Sequence, residues 1–331
     1  TGRDLAIYCS QTSFEWTPES VKTGIGGSEE AVIRLAPELQ KLGWNVTVYN
    51  ACGLRGYEQK VEGKNPVIWR PFWEFNPKDK WDVLVSWRHP MIFQFKELNA
   101  VKKYVWMHDV LPKQEFTQER LANLNKVIIL SKFHHSLFPN IPDDKIMISA
   151  NGIVKEQFET EKQPDRYPYR LIYTSAPDRG FECLVKNIFP LIKKEILQAE
   201  LYWFYGWDTF YTIHSSDKAQ MNWAENLRQI IKQTKGVYDG GRIGHQQLAE
   251  EYQKAALLVY PTMFPEIFCL SAVKAQQGGA VPIANVMTEI DGKQMKSSLD
   301  EVVLDDCGIK TYFDDLYKNK KQQEKFAQQV I

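Results

Sequence analysis

The chain has 331 residues, of which 44% are hydrophobic and 25% charged, and its 41 basic and 41 acidic side chains leave a formal net charge of zero. That length exceeds the size at which a single hydrophobic core usually stops growing, so two domains of roughly 150 to 170 residues are expected. The charge balance provides no global attraction to nucleic acid or to an anionic membrane, and no apolar run approaches the roughly 20 residues that a membrane span requires.

The five cysteines contain no C-x-x-C pair and read as buried, reduced thiols. The six histidines are dispersed without ligand spacing, so no metal site is expected. No signal peptide opens the chain, which makes the cytoplasm the expected compartment, with peripheral attachment to a membrane left open. The start at Thr1 rather than Met indicates a trimmed chain or one segment of a longer polypeptide.

Residues 4–9 (DLAIYC) read as a strand, followed by a polar loop, GIGGSEEAVIRLAPELQKLG and the strand WNVTVYN. Val32, Ile33, Leu35, Ala36, Leu39 and Leu42 fit a helix laid on a sheet, stopped by Gly43. The turn before it carries Gly24, Gly26, Gly27 and Ser28, but a dinucleotide fingerprint begun at Gly24 would need a small residue where Glu29 stands. The glycines still allow close approach of a ligand to backbone, with helix N–H groups behind them.

Four apolar runs then end in polar residues: WDVLVSW before Arg88 and His89, KYVWM before His108 and Asp109, KVIIL before Ser131 and Lys132, and KIMISA before Asn151 and Gly152. In a parallel sheet these are strand C-terminal ends, so the polar residues should gather along one edge. His134 and His135 read as helix residues with structural surroundings. The charged, proline-bearing stretch 155–169 holds the expected linker. A second alternating series follows: RLIYTSA, a helix from about Phe181, AELYWFYGW, helices at 219–233 and 246–254, and then AALLVY. Residues 311–331 read as one terminal helix with Phe313, Leu316, Phe326 and Val330 on its apolar stripe.

Between AALLVY and the next apolar run lies PTMFPEIFCLSAVKAQQGGAVP, the outline of a loop, a helix and a strand. Glu266 stands where the loop enters the helix. A carboxylate there could receive hydroxyl donors beside a bound phosphate, or could simply complement the first turn of the helix.

Taken in order, GIGGSEE, YVWMHD, LSKF, NGI, SAPDRG and PEIFCLSAVKAQQGG resemble the retaining glycosyltransferases of family four. The resemblance implies an α/β chain of GT-B fold, with two Rossmann-like domains facing across a cleft. On that basis residues 1–157 form the acceptor-side domain, 158–167 the linker and 168–331 the donor-side domain. It implies transfer of a sugar, with retention, from a nucleotide-sugar donor to a glycan, lipid-linked, protein or other hydroxyl acceptor. Neither a metal ion nor a cofactor is implied, and no nucleic-acid partner. The alternative is a degenerate GT-B domain that binds nucleotide or glycan without turnover.

The resemblance also places residues. Gly26 and Gly27 would bring backbone N–H groups to the diphosphate or the sugar, and His108 would reach the donor sugar near the reacting bond, supported by Asp109 and Arg88. Arg179 stands where the family has a diphosphate-binding lysine, and Glu266 matches the first acid of the family's E-x7-E motif. The backbone at Ile267, Phe268 and Cys269 would lie beside the phosphates. The motif's second acid is replaced by Lys274, which can only donate hydrogen bonds and so would contact a ribose oxygen or a phosphate.

Overall fold

A computed structural model describes residues 3–331, except for the side chain of Lys113. The chain divides into two compact units, one formed by the chain up to Val21 with Ile25–Gly152, the other by Lys22–Gly24 with Ile153–Ile331.

The first unit is built on an eight-stranded sheet: β1 (Asp4–Tyr8), β2 (Asn45–Asn50), β3 (Tyr57–Gln59), β4 (Val67–Pro71), β5 (Trp81–Trp87), β6 (Ala100–Trp106), β7 (Lys126–Ile129) and β8 (Ile146–Ile148). Their order is β3-β4-β2-β1-β5-β6-β7-β8, and every neighbouring pair is parallel except the β3–β4 edge. Leu5, Ala6 and Ile7 are all buried, as expected for a parallel strand covered on both faces, where apolar residues run on instead of alternating. The expected helix is present as Gly27–Lys41, and Gly43 follows it at φ +92°. Chain order reverses between β1 and β5, and loops leaving the C-terminal ends of two such strands diverge and open a crevice.

One buried histidine holds part of that edge. His134, in the short helix Lys132–Ser136, is fully buried. Its Nδ1 accepts from the Leu130 N–H at 3.3 Å, so the proton sits on Nε2, which donates to the Asp109 carbonyl at 3.2 Å. Both ring nitrogens are thus committed to backbone, and the neutral tautomer ties the residue after β6 to the end of β7.

The second unit carries a six-stranded, all-parallel sheet of β9 (Tyr167–Tyr173), β10 (Glu200–Trp203), β11 (Val237–Asp239), β12 (Ala255–Tyr260), β13 (Val281–Asn285) and, after an antiparallel hairpin, β14 (Met287–Ile290) and β15 (Lys293–Lys296), a last strand β16 (Ile309–Thr311). The order β11-β10-β9-β12-β13-β16 puts the reversal between β9 and β12. Tyr173, Phe181, Trp203 and Tyr260 are buried together, with Phe181 and Trp203 stacked at 4.7 Å between centroids. The hairpin turns through Asp291 and Gly292, at φ +51° and +73°, the Asp-Gly combination that a two-residue turn favours.

The tail departs from the single helix expected over 311–331. Thr311 ends β16, and the helix is confined to Lys320–Val330. Asn319 sets its start by accepting from the N–H groups of Lys321 (3.1 Å) and Gln322 (3.3 Å), a stable N-terminus wherever the preceding residues are held elsewhere. Leu316, Phe326 and Val330 are buried as the apolar stripe suggested.

Burial holds the His134 pKa down at about 4, against 6.5 ordinarily, with the Asp109 backbone opposing the shift only in part. The unfolded chain therefore binds a proton that the folded chain refuses between these values. The resulting stability is complete above about pH 6.5 and is lost as pH falls toward 4, on the order of 3 kcal/mol in all. Denaturant unfolding of wild type and His134→Gln at pH 7, 5.5 and 4 should show a shallower pH dependence in the variant. Parallel curves would mean that His134 titrates alike in both states.

Candidate functional site

The clearest constellation lies at the reversal point of the second sheet. The loop after β9 carries Arg179 and the loop after β12 carries Glu266, and the two form an ion pair at 3.1 Å between Nη1 and Oε1. The loops nest closely: a Cβ at Gly180, which has φ +102°, would stand 2.5 Å from the Pro261 carbonyl oxygen. Glycine is required there on both counts. The Tyr173 hydroxyl donates to the Arg179 carbonyl at 2.9 Å, which fixes the turn from below.

The pair is supported on both sides. Glu266 is buried, and its Oε1 also accepts from the buried Tyr260 hydroxyl. Arg179 keeps 36% of its side-chain surface exposed, and its guanidinium lies over the Phe264 ring, 4.1 Å from the centroid. Burial works against the Arg179 charge, but Glu266 foremost, together with Tyr260, Tyr205 and Asp178, outweighs it and holds the pKa above its ordinary range. Burial, reinforced by Glu266, pushes the Tyr260 hydroxyl well up, so it remains a donor.

Ile267 and Phe268 are half-buried in the bend before the helix Leu270–Gly278, and the buried Cys269 is its N-cap. Lys274 lies on that helix and is only 7% exposed. It is therefore not an ordinary solvated helix lysine. It sits inside the second unit, at the position where the resemblance expects an acid.

The first unit has a second constellation, at the reversal between β1 and β5. Arg88 directly follows β5 and adopts φ +72°, a left-handed conformation that costs on the order of 1 kcal/mol or more outside glycine. Its guanidinium meets Asp109 twice, Nε at 2.5 Å and Nη2 at 3.0 Å, and reaches Glu29 at 3.4 Å. Burial lowers the Arg88 pKa, but the two carboxylates outweigh it and leave the charge secure.

Glu29 folds back over the start of the helix that begins at Gly27. It accepts from the Ser28 hydroxyl at 3.0 Å, and a Cβ at Gly26 would stand 2.6 Å from its Oε2. The glycine thus makes room for an internal carboxylate at a helix N-terminus, where the helix dipole favours negative charge.

His108 is buried against Trp106, 4.4 Å between ring centroids, and Nε2 has no hydrogen-bond partner among the described residues. Burial, and then the Arg88 charge, push its pKa well below the ordinary value, so the ring is neutral at pH 7. No hydrogen bond joins His108 to Asp109 or Arg88. The structure thus brings together Arg88 with Asp109 and Arg179 with Glu266, and gives His108 an uncommitted nitrogen.

Two contributors escaped the sequence reading. Tyr260 ends an apolar run and reads as core; only its position as the last residue before the loop hinted at more. Glu29 was noticed as an obstacle to a dinucleotide fingerprint, and its partnership with Arg88 spans 59 residues.

A guanidinium and a carboxylate fixed side by side can receive an anion and a hydroxyl at neighbouring points. Among the described residues no group of three or more His, Cys, Asp or Glu side chains could hold a metal ion, and no helix is long and apolar enough to cross a membrane.

No protein-family model and no curated protein matches the chain in sequence; its likeness is to solved structures. Sucrose-phosphate synthase from Thermosynechococcus elongatus is 16% identical, with 99% of this chain and 89% of that chain covered and a TM-score of 0.66. Anabaena HepE in complex with UDP-glucose is 14% identical, with 99% and 89% covered and a TM-score of 0.63. A glycosyltransferase from Rickettsia africae is 14% identical, with 99% and 92% covered and a TM-score of 0.61. The chain has the α/β GT-B fold built on Rossmann-like parallel sheets, and the Arg179–Glu266 pair stands at the strand-order reversal of the second of them.

Proposed function

We propose that this protein is a retaining glycosyltransferase that moves a sugar from a nucleotide-sugar donor to a hydroxyl acceptor. The observation that carries the reading is the Arg179–Glu266 pair, a partly exposed cation locked to a buried carboxylate at a strand-order reversal. Support comes from neighbours of the same fold: HepE was solved with UDP-glucose, and with UDP and glucose. Retention and independence of metal rest on the resemblance of the sequence motifs.

The chemistry asked of such a site is electrostatic. As the glycosidic bond to phosphate breaks, negative charge gathers on the departing diphosphate, and a pre-placed cation stabilises it without reorganisation. Arg179 is proposed for this role, with the backbone at Ile267, Phe268 and Cys269 beside the phosphates. Glu266, kept in place by Tyr260, accepts hydroxyl groups of the transferred sugar. Lys274 contributes its buried positive charge toward the ribose or a phosphate. In the first unit, the resemblance of the motifs proposes Gly26 and Gly27 for backbone contact with a donor and the neutral His108, whose buried Nε2 has no partner among the described residues, for contact with a sugar hydroxyl. Arg88 and Asp109 brace the segment that carries it.

Incubation with uridine, guanosine, adenosine and thymidine diphosphate sugars, with and without simple glycans, should release nucleoside diphosphate from one donor class, in EDTA as well as with magnesium. Binding without release would instead identify a degenerate domain, and rescue by magnesium after complete loss in EDTA would remove the metal-independent step.

Arg179→Ala should weaken nucleoside diphosphate binding by about 1.5 to 3 kcal/mol, the range for a charge-assisted hydrogen bond. Glu266→Gln should lower turnover by roughly 100-fold with a smaller change in nucleotide affinity. Unchanged nucleoside diphosphate affinity in Arg179→Ala, together with unchanged turnover in Glu266→Gln, would take the pair out of the donor site. His108→Ala should reduce turnover while leaving the nucleoside diphosphate Kd within about twofold, because its proposed partner is the sugar. A parallel loss of affinity, or no loss of rate, would make His108 a packing residue.

A further inference from the structure

The loop that carries Glu266, Pro261 to Glu266, has no regular hydrogen-bonded structure of its own, yet most of its polar backbone groups have a partner. The Met263 N–H donates to the Tyr317 hydroxyl at 2.9 Å, and the Met263 carbonyl accepts from Thr288 Oγ1 at 2.8 Å. The Phe264 N–H meets Thr262 Oγ1 at 3.0 Å, and the Glu266 carbonyl accepts from the Ser298 N–H at 2.9 Å. One side chain ties these attachments to the sheet.

Asn285, the last residue of β13, is fully buried. Its Nδ2 lies 3.0 Å from the carbonyl oxygens of both Thr262 and Phe313, with the Met287 carbonyl at 3.3 Å. Its Oδ1 accepts from the Phe313 N–H at 2.9 Å and from Thr311 Oγ1 at 3.2 Å. The orientation of the amide is dictated by these partners, since carbonyl oxygens must face the NH2 group and an N–H must face the oxygen.

A single amide therefore holds the donor loop, the start of the hairpin and the segment after β16 in one register. A buried polar network in which every member is satisfied rigidifies the groups it joins, and losing one member leaves others buried without partners. Thr262 is itself fully buried, and only three residues separate it from Glu266. Small shifts at the base of so short a loop would be transmitted to the carboxylate.

We infer that Asn285 is a positioning residue, which fixes the Pro261–Glu266 loop and through it aims Glu266 at the donor sugar. The inference rests on the proposed transfer reaction for its functional half; its structural half can be measured without any substrate. Asn285→Asp keeps the size and oxygen of the amide but turns a carboxylate oxygen toward the carbonyls of Thr262, Phe313 and Met287. Thr311→Val removes a hydroxyl that donates to Oδ1, and serves as the milder variant should the aspartate variant fail to fold.

Hydrogen exchange followed by mass spectrometry on the ligand-free protein should show amides of the 261–269 peptide exchanging at least about tenfold faster in Asn285→Asp, and less so in Thr311→Val, with the helix at Lys218–Gln233 unchanged. Turnover of the donor selected by the wild type should fall about tenfold or more. Combined with Glu266→Gln, Asn285→Asp should add no further loss, because the two residues act as one unit. Unaltered exchange in the loop, exchange raised throughout the second unit, or losses that multiply in the double variant would overturn the inference. If the wild type turns over no sugar nucleotide, the transfer reading fails by itself, and the exchange result still decides whether Asn285 holds the loop.

Discussion

A parallel sheet covered on both faces leaves its strands no place for charge except at their ends, and the layout of this protein depends on that constraint. Strands such as AALLVY and DLAIY are apolar nearly throughout, and in these the polar chemistry gathers in the loops that follow them. Where strand order reverses, two neighbouring ends send their loops apart and leave room between them. Both units place an arginine and a carboxylate at such an end, Arg88 with Asp109 and Arg179 with Glu266.

These two pairs resemble each other in composition and differ in their surroundings. Arg88 is divided between two carboxylates and held in a left-handed backbone conformation, so its charge is consumed within the protein. Arg179 meets one carboxylate and keeps more than a third of its surface open, its other face resting on Phe264. The first arrangement is bracing, and the second retains capacity for a ligand. His108 adds a neutral ring whose buried Nε2 has no hydrogen-bond partner among the described residues, and His134, committed at both nitrogens, anchors the neighbouring backbone. Two histidines with depressed pKa thus differ in their partners, His134 having both nitrogens bonded to backbone and His108 having none at Nε2 among the described residues.

Irregular loops need attachments that helices and strands supply to themselves. In the second unit those attachments come from far along the chain: Asn285, Thr288, Ser298 and Tyr317 all bond to the loop that carries Glu266. Packing the final segment against this loop also explains why the tail is not one helix, since the residues up to Tyr317 are occupied before Asn319 can start a helix.

Local pattern alone determined much of this protein. Apolar runs separated by helical periodicity specify alternating strands and helices, and the residues that follow those runs, Arg88, His108 and Asp109, like Glu266 at the entry of a helix, are legible because the end of an element is a local event. Gly43 is legible for the same reason, answering a backbone requirement within a few residues. Partnership was not legible. The Arg179–Glu266 bond spans 87 residues and the Arg88–Glu29 bond 59, and no periodicity encodes contacts made by strand order. Burial of Lys274 and of the His108 ring likewise depends on what packs around them. Tyr260 and Asn285 were hidden most completely, since a polar atom at the end of an apolar strand looks like core until the fold brings it a partner.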